Sequence, residues 1–273
     1  MMIEAQSIIE VKTMKIAILY IGTGRYTIFW DEFFKSCEKY FIKDVQKHYF
    51  FFTDDKTIKS DDKVTVVAQD NLSWPMIACF RYKIINKIKE QLKDYDFVFF
   101  FNGNMEFVKP VTKEEFLPNE TQSYLVSALH SINKRAKSND EFMYERNPES
   151  TSFIPYGQGK YYLQSAISGG RTPEYLKLLK DCEDLMDKDL QNNFIPIFHD
   201  ESLFNKYMLG KPHLVLGCNY MQPVHGKPWM KYGPSVKIIQ RDKAKLKYGG
   251  HSYLRGECDK KISLFDFLFR KRK

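Results

Sequence analysis

The first hundred residues alternate between short apolar runs and amphipathic stretches, and this order restricts the fold more than any other feature. Apolar positions at three- and four-residue spacing predict helices over residues 27–41 and 76–92. Runs rich in aromatic and β-branched residues predict strands over residues 14–20, 44–53, 64–68 and 97–101. Strands and helices in this order predict a doubly wound, Rossmann-like α/β fold with a mixed, mostly parallel central sheet.

The second half of the chain is less regular. Strands are predicted within residues 120–130 and over residues 161–170, separated by a polar, loop-rich stretch. Helices are predicted over residues 173–192 and 201–209. No internal repeat or low-complexity linker interrupts the pattern, and 273 residues suffice for one large domain or two closely packed halves.

Several classes of protein are disfavoured by composition. No apolar run reaches the ~18–20 residues that span a bilayer. The five cysteines are scattered and form no CxxC pair, which argues against a zinc site or a disulfide framework. The expectation is a cytoplasmic protein that works in a reducing environment.

The positive charge is concentrated at the end of the chain. Residues 241–273 hold eleven Lys or Arg and four acids, a net +7 of the total +8, which leaves +1 for residues 1–240. A nearly neutral body argues against general nucleic-acid binding. The basic segment could instead bind phosphate, or its last stretch, SLFDFLFRKRK, could contact an anionic membrane surface. A helix packed on the domain or a disordered tail would explain that stretch equally well.

Four motifs stand where such a sheet would bind a ligand, beyond the carboxyl ends of its strands. The loop IGTGRY (21–26) could let backbone approach a nucleotide, or it could be a plain strand–helix turn. The sequence HDES (199–202) gathers three titratable side chains, although Asp200 could simply cap a helix. YYLQSAISGG (161–170) could bring backbone close to a ligand or form a buried core strand. The fourth motif, Asn102-Gly103-Asn104, places two neutral amides at the tip of an apolar strand.

Together these segments resemble glycosyltransferase family 6, which includes the histo-blood-group A and B transferases and the α-1,3-galactosyltransferase. The resemblance spans residues 15–240 in the same order. It rests on the motifs IGTGRY, HYFFFTDD, FRYKII, NGNMEF, MYERNPES, FIP, YYLQSAISGG and HDESLFNKYML. It implies a glycosyltransferase A fold with one catalytic domain over residues 14–240, preceded by an N-terminal extension (1–13). Residues 241–273 would form a basic segment that partly closes over the donor diphosphate.

The resemblance also implies an activity. Family members transfer Gal or GalNAc from a UDP-sugar to the 3-OH of a galactose with retention of configuration, and this chain looks most like soluble bacterial members that use UDP-GalNAc. The acceptor galactose is expected to carry an α-1,2-linked fucose, as in the blood-group A product. The alternatives are a UDP-Gal-dependent α-1,3-galactosyltransferase and a non-catalytic sugar-binding relic.

Site residues follow from the same resemblance. Glu201 matches the glutamate beneath the anomeric carbon, and His199 and Asp200 match residues that hold the transferred sugar and the acceptor. The other donor-site residues implied are Ile21, Gly22, Thr23, Tyr26, Arg81, Asn102, Gly103, Asn104, Leu163, Gln164, Ser165, Arg241, Lys243 and Lys247. Leu163, Gln164 and Ser165 occupy the positions that choose Gal or GalNAc, and the small Ser165 favours GalNAc.

One departure from the family pattern affects the chemistry. Asn102 and Asn104 stand where many nucleotide-sugar enzymes have the two aspartates of a metal-binding Asp-X-Asp. Mn²⁺ and Mg²⁺ prefer hard anionic oxygens, so neutral amides would bind them feebly. The sequence therefore predicts an enzyme without a metal or other cofactor. The amides would hydrogen-bond the donor, and basic residues, with Arg241 and Lys247 at the closest family spacing, would balance the charge of the diphosphate.

Overall fold

The computed structural model describes residues 13–224 and 233–263. The predicted N-terminal extension, except Thr13, and the stretch SLFDFLFRKRK, except Ser263, lie outside the described residues. Within the described part of the chain, no helix is long and apolar enough to cross a membrane.

The secondary structure alternates as predicted over the first hundred residues. The strands are β1 (Lys15–Ile21), β2 (Gln46–Thr53), β3 (Val64–Ala68), β4 (Phe97–Phe101), β5 (Met105–Phe107), β6 (Leu125–Leu129), β7 (Leu163–Arg171), β8 (Leu214–Leu216), β9 (Gln222–Pro223) and β10 (Ile238–Gln240). The α-helices are α1 (Trp30–Tyr40), α2 (Met76–Cys79), α3 (Arg81–Asn86), α4 (Lys89–Leu92), α5 (Lys113–Phe116), α6 (Thr172–Gln191), α7 (Asp200–Met208) and α8 (His251–Leu254). The 3₁₀ turns are Gly24–Phe29, Glu120–Gln122, Ser131–Lys134, Asn139–Glu141, Cys218–Tyr220 and Leu246–Tyr248.

A seven-stranded sheet in the order β3-β2-β1-β4-β7-β6-β8 forms the centre of the molecule. Six strands run in one direction, and β7 alone is antiparallel to its neighbours β4 and β6. A small second sheet pairs β5, β10 and β9. The predicted α/β class with a mixed, mostly parallel sheet is therefore confirmed.

Helices cover both faces of the large sheet. Side chains alternate along β1, so that Ile16 and Ile18 pack towards α1 while Ala17 and Leu19 pack towards α3, α6 and α7. Each face has a fully buried aromatic and aliphatic core, and burying one large apolar side chain contributes about 1.5–3 kcal/mol. The sheet is thus held rigidly between two layers, which fixes the positions of its strand ends.

The predicted helix over residues 76–92 is not continuous. Phe80 (φ −89°, ψ 7°) and Ile88 (φ −112°, ψ 16°) leave the helical region, and the segment divides into α2, α3 and α4. Tyr82, Ile85 and Leu92 nevertheless all face the core. A pattern of apolar residues survives such breaks because it records only which side chains are buried, and not every backbone dihedral.

The edge where the parallel strands end is assembled by backbone hydrogen bonds. Gly22 N donates to Phe52 O (3.0 Å), which joins the ends of β1 and β2. Asn102 N donates to Ala166 O (2.9 Å), which joins the end of β4 to the antiparallel β7 near its beginning. The loop that follows β4 therefore lies beside the first residues of β7, and the loop that follows β1 lies at the same edge of the sheet.

Candidate active site

A cavity of about 350 Å³ opens at this edge of the sheet. It collects residues from six separate parts of the sequence: the end of β1 and the loop after it, the region of α2 and α3, the end of β4, the start of β7, the start of α7 and the C-terminal segment. Ten of the residues implied by the resemblance line it, namely Ile21, Thr23, Tyr26, Arg81, Asn102, Ser165, His199, Asp200, Glu201 and Lys243. The fold therefore brings together most of the predicted candidates.

The HDES motif forms the turn that starts α7. His199 has φ +51° and ψ −122°, a backbone conformation that is strained for a residue with a side chain. Asp200 and Glu201 follow in the first helical turn, where the helix dipole favours negative charge. The interpretation of Asp200 as the helix cap is wrong, because the N-cap is His199 and its side chain makes no capping hydrogen bond; Asp200 and Glu201 stand in the first turn and line the cavity.

Both oxygens of the Glu201 carboxylate have a hydrogen-bond donor. Tyr162 donates its hydroxyl to Oε1 (2.9 Å), and the Ser165 backbone N–H donates to Oε2 (3.1 Å). Burial raises the pKa of Glu201 to about 7, against the lowering effect of these two hydrogen bonds. A carboxylate near its midpoint at neutral pH can stabilise a cation, attack a carbon atom or carry a proton.

Arg81 of α3 connects β7 to α7. Its Nη1 donates to Ser165 O (2.8 Å) and lies 2.5 Å from Asp200 Oδ2. The second contact is an ion pair without hydrogen-bond geometry, since Oδ2 is buried and has no hydrogen-bond partner. The guanidinium also lies over the Phe100 ring, 4.4 Å from its centroid. Arg81 therefore fixes the backbone at Ser165 and the carboxylate at Asp200 together.

Two basic side chains of the C-terminal segment, Lys243 and Arg255, line the same cavity. Burial lowers the pKa of Lys243 to about 8, and the positive charges of Arg255 and Arg81 act in the same direction. The Lys243 Nζ lies 5.0 Å from the centroid of the Tyr26 ring. Arg81 is paired with Asp200, and Arg255 Nη1 lies 3.5 Å from the Glu257 carboxylate. Lys243 and Arg255 together still bring positive charge to the cavity that a bound anion would balance.

The described C-terminal segment (residues 241–263) folds back onto the loop after β1. Gly249 and Gly250 take positive φ values of 84° and 92° and turn the chain before α8. Arg25 then donates to the carbonyl oxygens of Tyr253 (2.8 Å) and Cys258 (2.6 Å). These contacts hold α8 and Arg255 at the cavity. Domain bounds and closure over a diphosphate remain predictions.

The two amides of the Asn102-Gly103-Asn104 motif occupy different environments. Asn102 lines the cavity. Asn104 is only 2% exposed, and its Nδ2 donates to Arg241 O (2.7 Å). Its Oδ1 is buried without a hydrogen-bond partner. The second amide thus ties the end of β4 to the residue after β10, and only the first faces the cavity.

Arg241 and Lys247 lie outside the cavity-lining set. Arg241 is 5% exposed and forms ion pairs with Glu32 and Glu106, both at 3.0 Å. Lys247 forms an exposed ion pair with Glu32 (3.1 Å). The cations that do line the cavity in this segment are Lys243, which was among the predicted residues, and Arg255, which was not.

The remaining predicted residues lie next to the cavity-lining residues but do not line the cavity themselves. Gly22 lies against the Tyr20 and Phe51 rings, and Gly103 O accepts a hydrogen bond from the Tyr20 hydroxyl (3.1 Å). Gln164 is buried in β7, and Leu163 lines a second cavity beyond β7.

The glycine pair of YYLQSAISGG lies inside the sheet rather than at the cavity. A Cβ atom at Gly169 would stand 2.5 Å from Val98 O, and one at Gly170 would stand 2.1 Å from Tyr124 O. Both glycines are therefore required for close strand packing, which favours the core-strand interpretation of that end of the motif.

Nine residues that the sequence did not single out complete the cavity. Phe198 adjoins the HDES motif, Trp74 is one of only three tryptophans in the chain, and Arg255 belongs to the basic excess of the C-terminal segment. These features are visible in the sequence, but they do not indicate that the residues lie at the cavity. The full set is Asn71, Leu72, Trp74, Ile77, Ala78, Phe100, Phe198, Leu254 and Arg255.

Comparison with known proteins identifies the family of this chain. The family model described as "Glycosyltransferase family 6" matches residues 3–246. The chain is 32% identical over 242 residues to the O-antigen biosynthesis glycosyltransferase WbnI of Escherichia coli, and the aligned region covers 87% of this chain and 99% of that protein. It is 28% identical over 222 residues to the histo-blood group ABO system transferase 2 of Rattus norvegicus (78% of this chain, 64% of that protein). It is also 25% identical over 245 residues to the human globoside alpha-1,3-N-acetylgalactosaminyltransferase 1 (86% and 67%). The predicted family is confirmed, and this chain belongs to glycosyltransferase family 6.

Proposed function

We propose that this glycosyltransferase moves GalNAc from UDP-GalNAc to the 3-OH of a galactose acceptor that carries an α-1,2-linked fucose, with retention of configuration. The observation that carries the proposal is one cavity that is lined both by the cations Lys243 and Arg255 of the C-terminal segment and by the acids Asp200 and Glu201 of α7. Lys243 and Arg255 would receive the diphosphate, and Glu201 would receive the anomeric carbon. The name of one relative specifies α-1,3-N-acetylgalactosaminyl transfer, which supports this choice of donor.

The bond between the anomeric carbon and the UDP oxygen breaks with its electron pair on UDP. An oxocarbenium-like cation develops on the sugar, as in glycoside hydrolysis. The ionised Glu201 carboxylate stabilises this cation, or attacks it to form a glycosyl ester that the acceptor 3-OH then displaces. In that displacement, as in the front-face route in which the acceptor attacks directly, the UDP phosphate takes the proton of the 3-OH. Lys243 and Arg255 stabilise the negative charge on the departing diphosphate in either case.

The Asn102 and Asn104 side chains do not fit a divalent metal. A metal site needs several oxygen ligands, preferably anionic, whereas both side chains are neutral amides and Asn104 is buried outside the set of cavity-lining residues. Among residues 13–224 and 233–263, His, Cys, Asp and Glu form no group of three that could hold a metal ion. We therefore include turnover without a metal or other cofactor in the proposal, and assign the charge compensation to basic side chains.

Ser165 would admit the acetamido group of GalNAc. Its backbone is fixed by Arg81 and Glu201, and its side chain lines the cavity beside Glu201 Oε2. A small side chain at a fixed position leaves room for the substituent at C2. Pocket size decides between such donors by ~1–3 kcal/mol, so slower transfer of Gal from UDP-Gal is also expected.

A donor-by-acceptor screen in EDTA tests the proposal. UDP release is measured with UDP-GalNAc, UDP-Gal, UDP-GlcNAc and UDP-Glc, on a fucosylated galactose acceptor and on the same acceptor without fucose. Highest turnover with UDP-GalNAc and the fucosylated acceptor is expected, and Glu201→Gln should lower kcat by at least about 100-fold while UDP binding survives. Turnover that requires added Mn²⁺ or Mg²⁺ would contradict the metal-free part, and a preference for UDP-Gal would contradict the donor.

The alternative of a sugar-binding relic predicts a different result in the same screen. A relic would bind UDP and sugars without releasing UDP from any donor. The presence of a partly buried Glu201 with two hydrogen-bond donors argues for catalysis, because holding a carboxylate there is costly unless it is used.

A further inference from the structure

We infer that Tyr162 is a positioning residue for the reaction, whose hydroxyl orients the Glu201 carboxylate and favours its ionised form. Tyr162 directly precedes β7 and is fully buried. Its hydroxyl donates to Glu201 Oε1 (2.9 Å), opposite the Ser165 N–H on Oε2. This inference rests on the proposed role of Glu201 as the group beneath the anomeric carbon.

The phenol is held rigidly. Asn133 accepts from Tyr162 N (3.0 Å) through Oδ1 and donates to Tyr162 O (2.6 Å) through Nδ2. The His130 N–H donates to the same carbonyl (3.0 Å). The rings of Tyr144 and His130 pack against the Tyr162 ring at 5.5 and 5.4 Å between centroids. Because the Tyr162 backbone and ring are both held, the position of its hydroxyl determines where Glu201 Oε1 lies.

The energetic argument concerns two opposing effects on one carboxylate. Burial favours the neutral acid, whereas each hydrogen bond donated to the carboxylate favours the ionised form. The phenol remains a donor across the working pH range, because burial and the neighbouring Glu201 raise the pKa of Tyr162 well above its ordinary value. Without the phenol, a larger fraction of Glu201 would be protonated at neutral pH, and a protonated acid can neither stabilise an oxocarbenium ion nor attack it.

Other charged groups also affect the pKa of Glu201, and a test of Tyr162 must leave them unchanged. Asp200 raises the pKa of Glu201 and Arg81 lowers it. The titratable groups that face Glu201 or share its cavity are Tyr162 before β7, His199 and Asp200 at the start of α7, Arg81 of α3, Tyr26 after β1, and Lys243 and Arg255 of the C-terminal segment. The substitution that tests the inference must therefore leave all of these in place, as Tyr162→Phe does.

The Glu201 carboxyl is titrated by ¹³C NMR in protein with ¹³C-labelled glutamate side chains, with Glu201→Gln to assign the signal. In Tyr162→Phe the midpoint is expected to move upward by about one pH unit, since one hydrogen bond to the charged form is lost. The acidic limb of the kcat profile should move in the same direction, with kcat near pH 6.5 lower by about 10-fold. Tyr144→Phe is the matched control, because its hydroxyl donates to Tyr161 O (2.6 Å) in the same cluster without touching Glu201.

An unchanged Glu201 midpoint in Tyr162→Phe, or an equal shift in Tyr144→Phe, would overturn the inference. Replacing Tyr162 by 3-fluorotyrosine gives a nearly isosteric, more acidic donor that should move the midpoint downward, and this variant serves if Tyr162→Phe does not fold. An upward or absent shift with the fluorinated residue would also contradict the inference. The NMR titration needs no turnover, so an inactive wild-type enzyme would refute the proposed function while Tyr162 is still tested.

Discussion

The Arg81 guanidinium lies 2.5 Å from the Asp200 carboxylate, and the two side chains are only 11% and 5% exposed. This pair joins α3 to the first turn of α7, and both residues line the cavity. Removing one partner of a buried ion pair leaves the other charge buried and unpaired, which is far more costly than losing an exposed pair. The relationship therefore contributes to stability and to the position of the site at once.

Arg81→Met is expected to lower the free energy of unfolding by about 3–5 kcal/mol, because Asp200 would stay buried without a counter-charge. Lys83→Met on the same helix removes an exposed ion pair with Asp187 (3.1 Å) and should cost about 0–1 kcal/mol. Urea unfolding at pH 7.5 measures both variants. Equal losses in the two variants would show that the Arg81–Asp200 pair is no more costly to break than a surface pair.

The two amides of the Asn102-Gly103-Asn104 motif should respond differently to the same change. Asn104→Asp removes the donor to Arg241 O and buries a charge, so we expect a loss of about 3 kcal/mol or more in the free energy of unfolding. Asn102→Asp faces the cavity and should change stability by less than about 1 kcal/mol while weakening UDP binding. Urea unfolding and UDP calorimetry separate the outcomes. Equal changes in stability and in UDP affinity for the two variants would contradict a structural role for Asn104 and a ligand-binding role for Asn102.

The pKa of Lys243, lowered to about 8, predicts how UDP binding depends on pH. Lysine is charged below its pKa, and a bound diphosphate favours the charged form. UDP affinity should therefore fall as pH rises from 7 to 9, by about 10-fold, with proton uptake in calorimetry on the alkaline side. Lys243→Arg, which stays charged, should abolish this dependence, and Lys247→Arg should leave it intact. The same pH dependence in Lys243→Arg would assign it to another group.

The sequence predicted the elements that build the site better than the residues that fill it. Strand β4 was predicted with its observed bounds, because Phe97 to Phe101 form an apolar run closed by a turn. The short strands β5 and β8–β10 were missed, since two or three residues cannot show a period of two. Long, patterned segments were visible, and pairing between distant short segments was not.

The choice among the C-terminal cations shows the same limit. The resemblance to the family favoured Arg241 and Lys247, whereas the folded segment lines the cavity with Lys243 and Arg255. The difference depends on the turn at Gly249 and Gly250, which reverses the chain and brings α8 to the loop after β1. A count of basic residues gives the net charge of a segment, but only backbone conformation decides which side chains face inward.

Ser165→Val should reduce transfer from UDP-GalNAc more than transfer from UDP-Gal. The added methyl groups enter the cavity beside Glu201 Oε2, where an acetamido group needs room and a hydroxyl does not. The expected change in the ratio of kcat/KM values is about 10- to 200-fold. Ser168→Val is a control on the same strand, because Ser168 contacts the Tyr175 hydroxyl within the core, away from the cavity. A ratio that does not change in Ser165→Val would place donor selection elsewhere.

Glu201→Gln should stabilise the protein at alkaline pH while it destroys activity. The folded-state pKa of about 7 lies above the ordinary value of 4.5, so the folded protein binds this proton more tightly than the unfolded chain does. The cost of burying the charge is fully present above pH 7 and is relieved as pH falls towards 4.5.

The Gln variant carries no such cost, and its free energy of unfolding at pH 8 should exceed that of the wild type by roughly 1–3 kcal/mol, an advantage that shrinks towards pH 5. Urea unfolding at pH 5, 6.5 and 8 measures the difference, with the exposed Glu149→Gln as a control that should show no such trend. A Glu201→Gln protein that is less stable than the wild type at pH 8 would mean that the hydrogen bonds from Tyr162 and Ser165 outweigh the burial of the charge. The Glu201 carboxylate would then be ionised well below neutral pH, and burying its charge would not lower the free energy of unfolding.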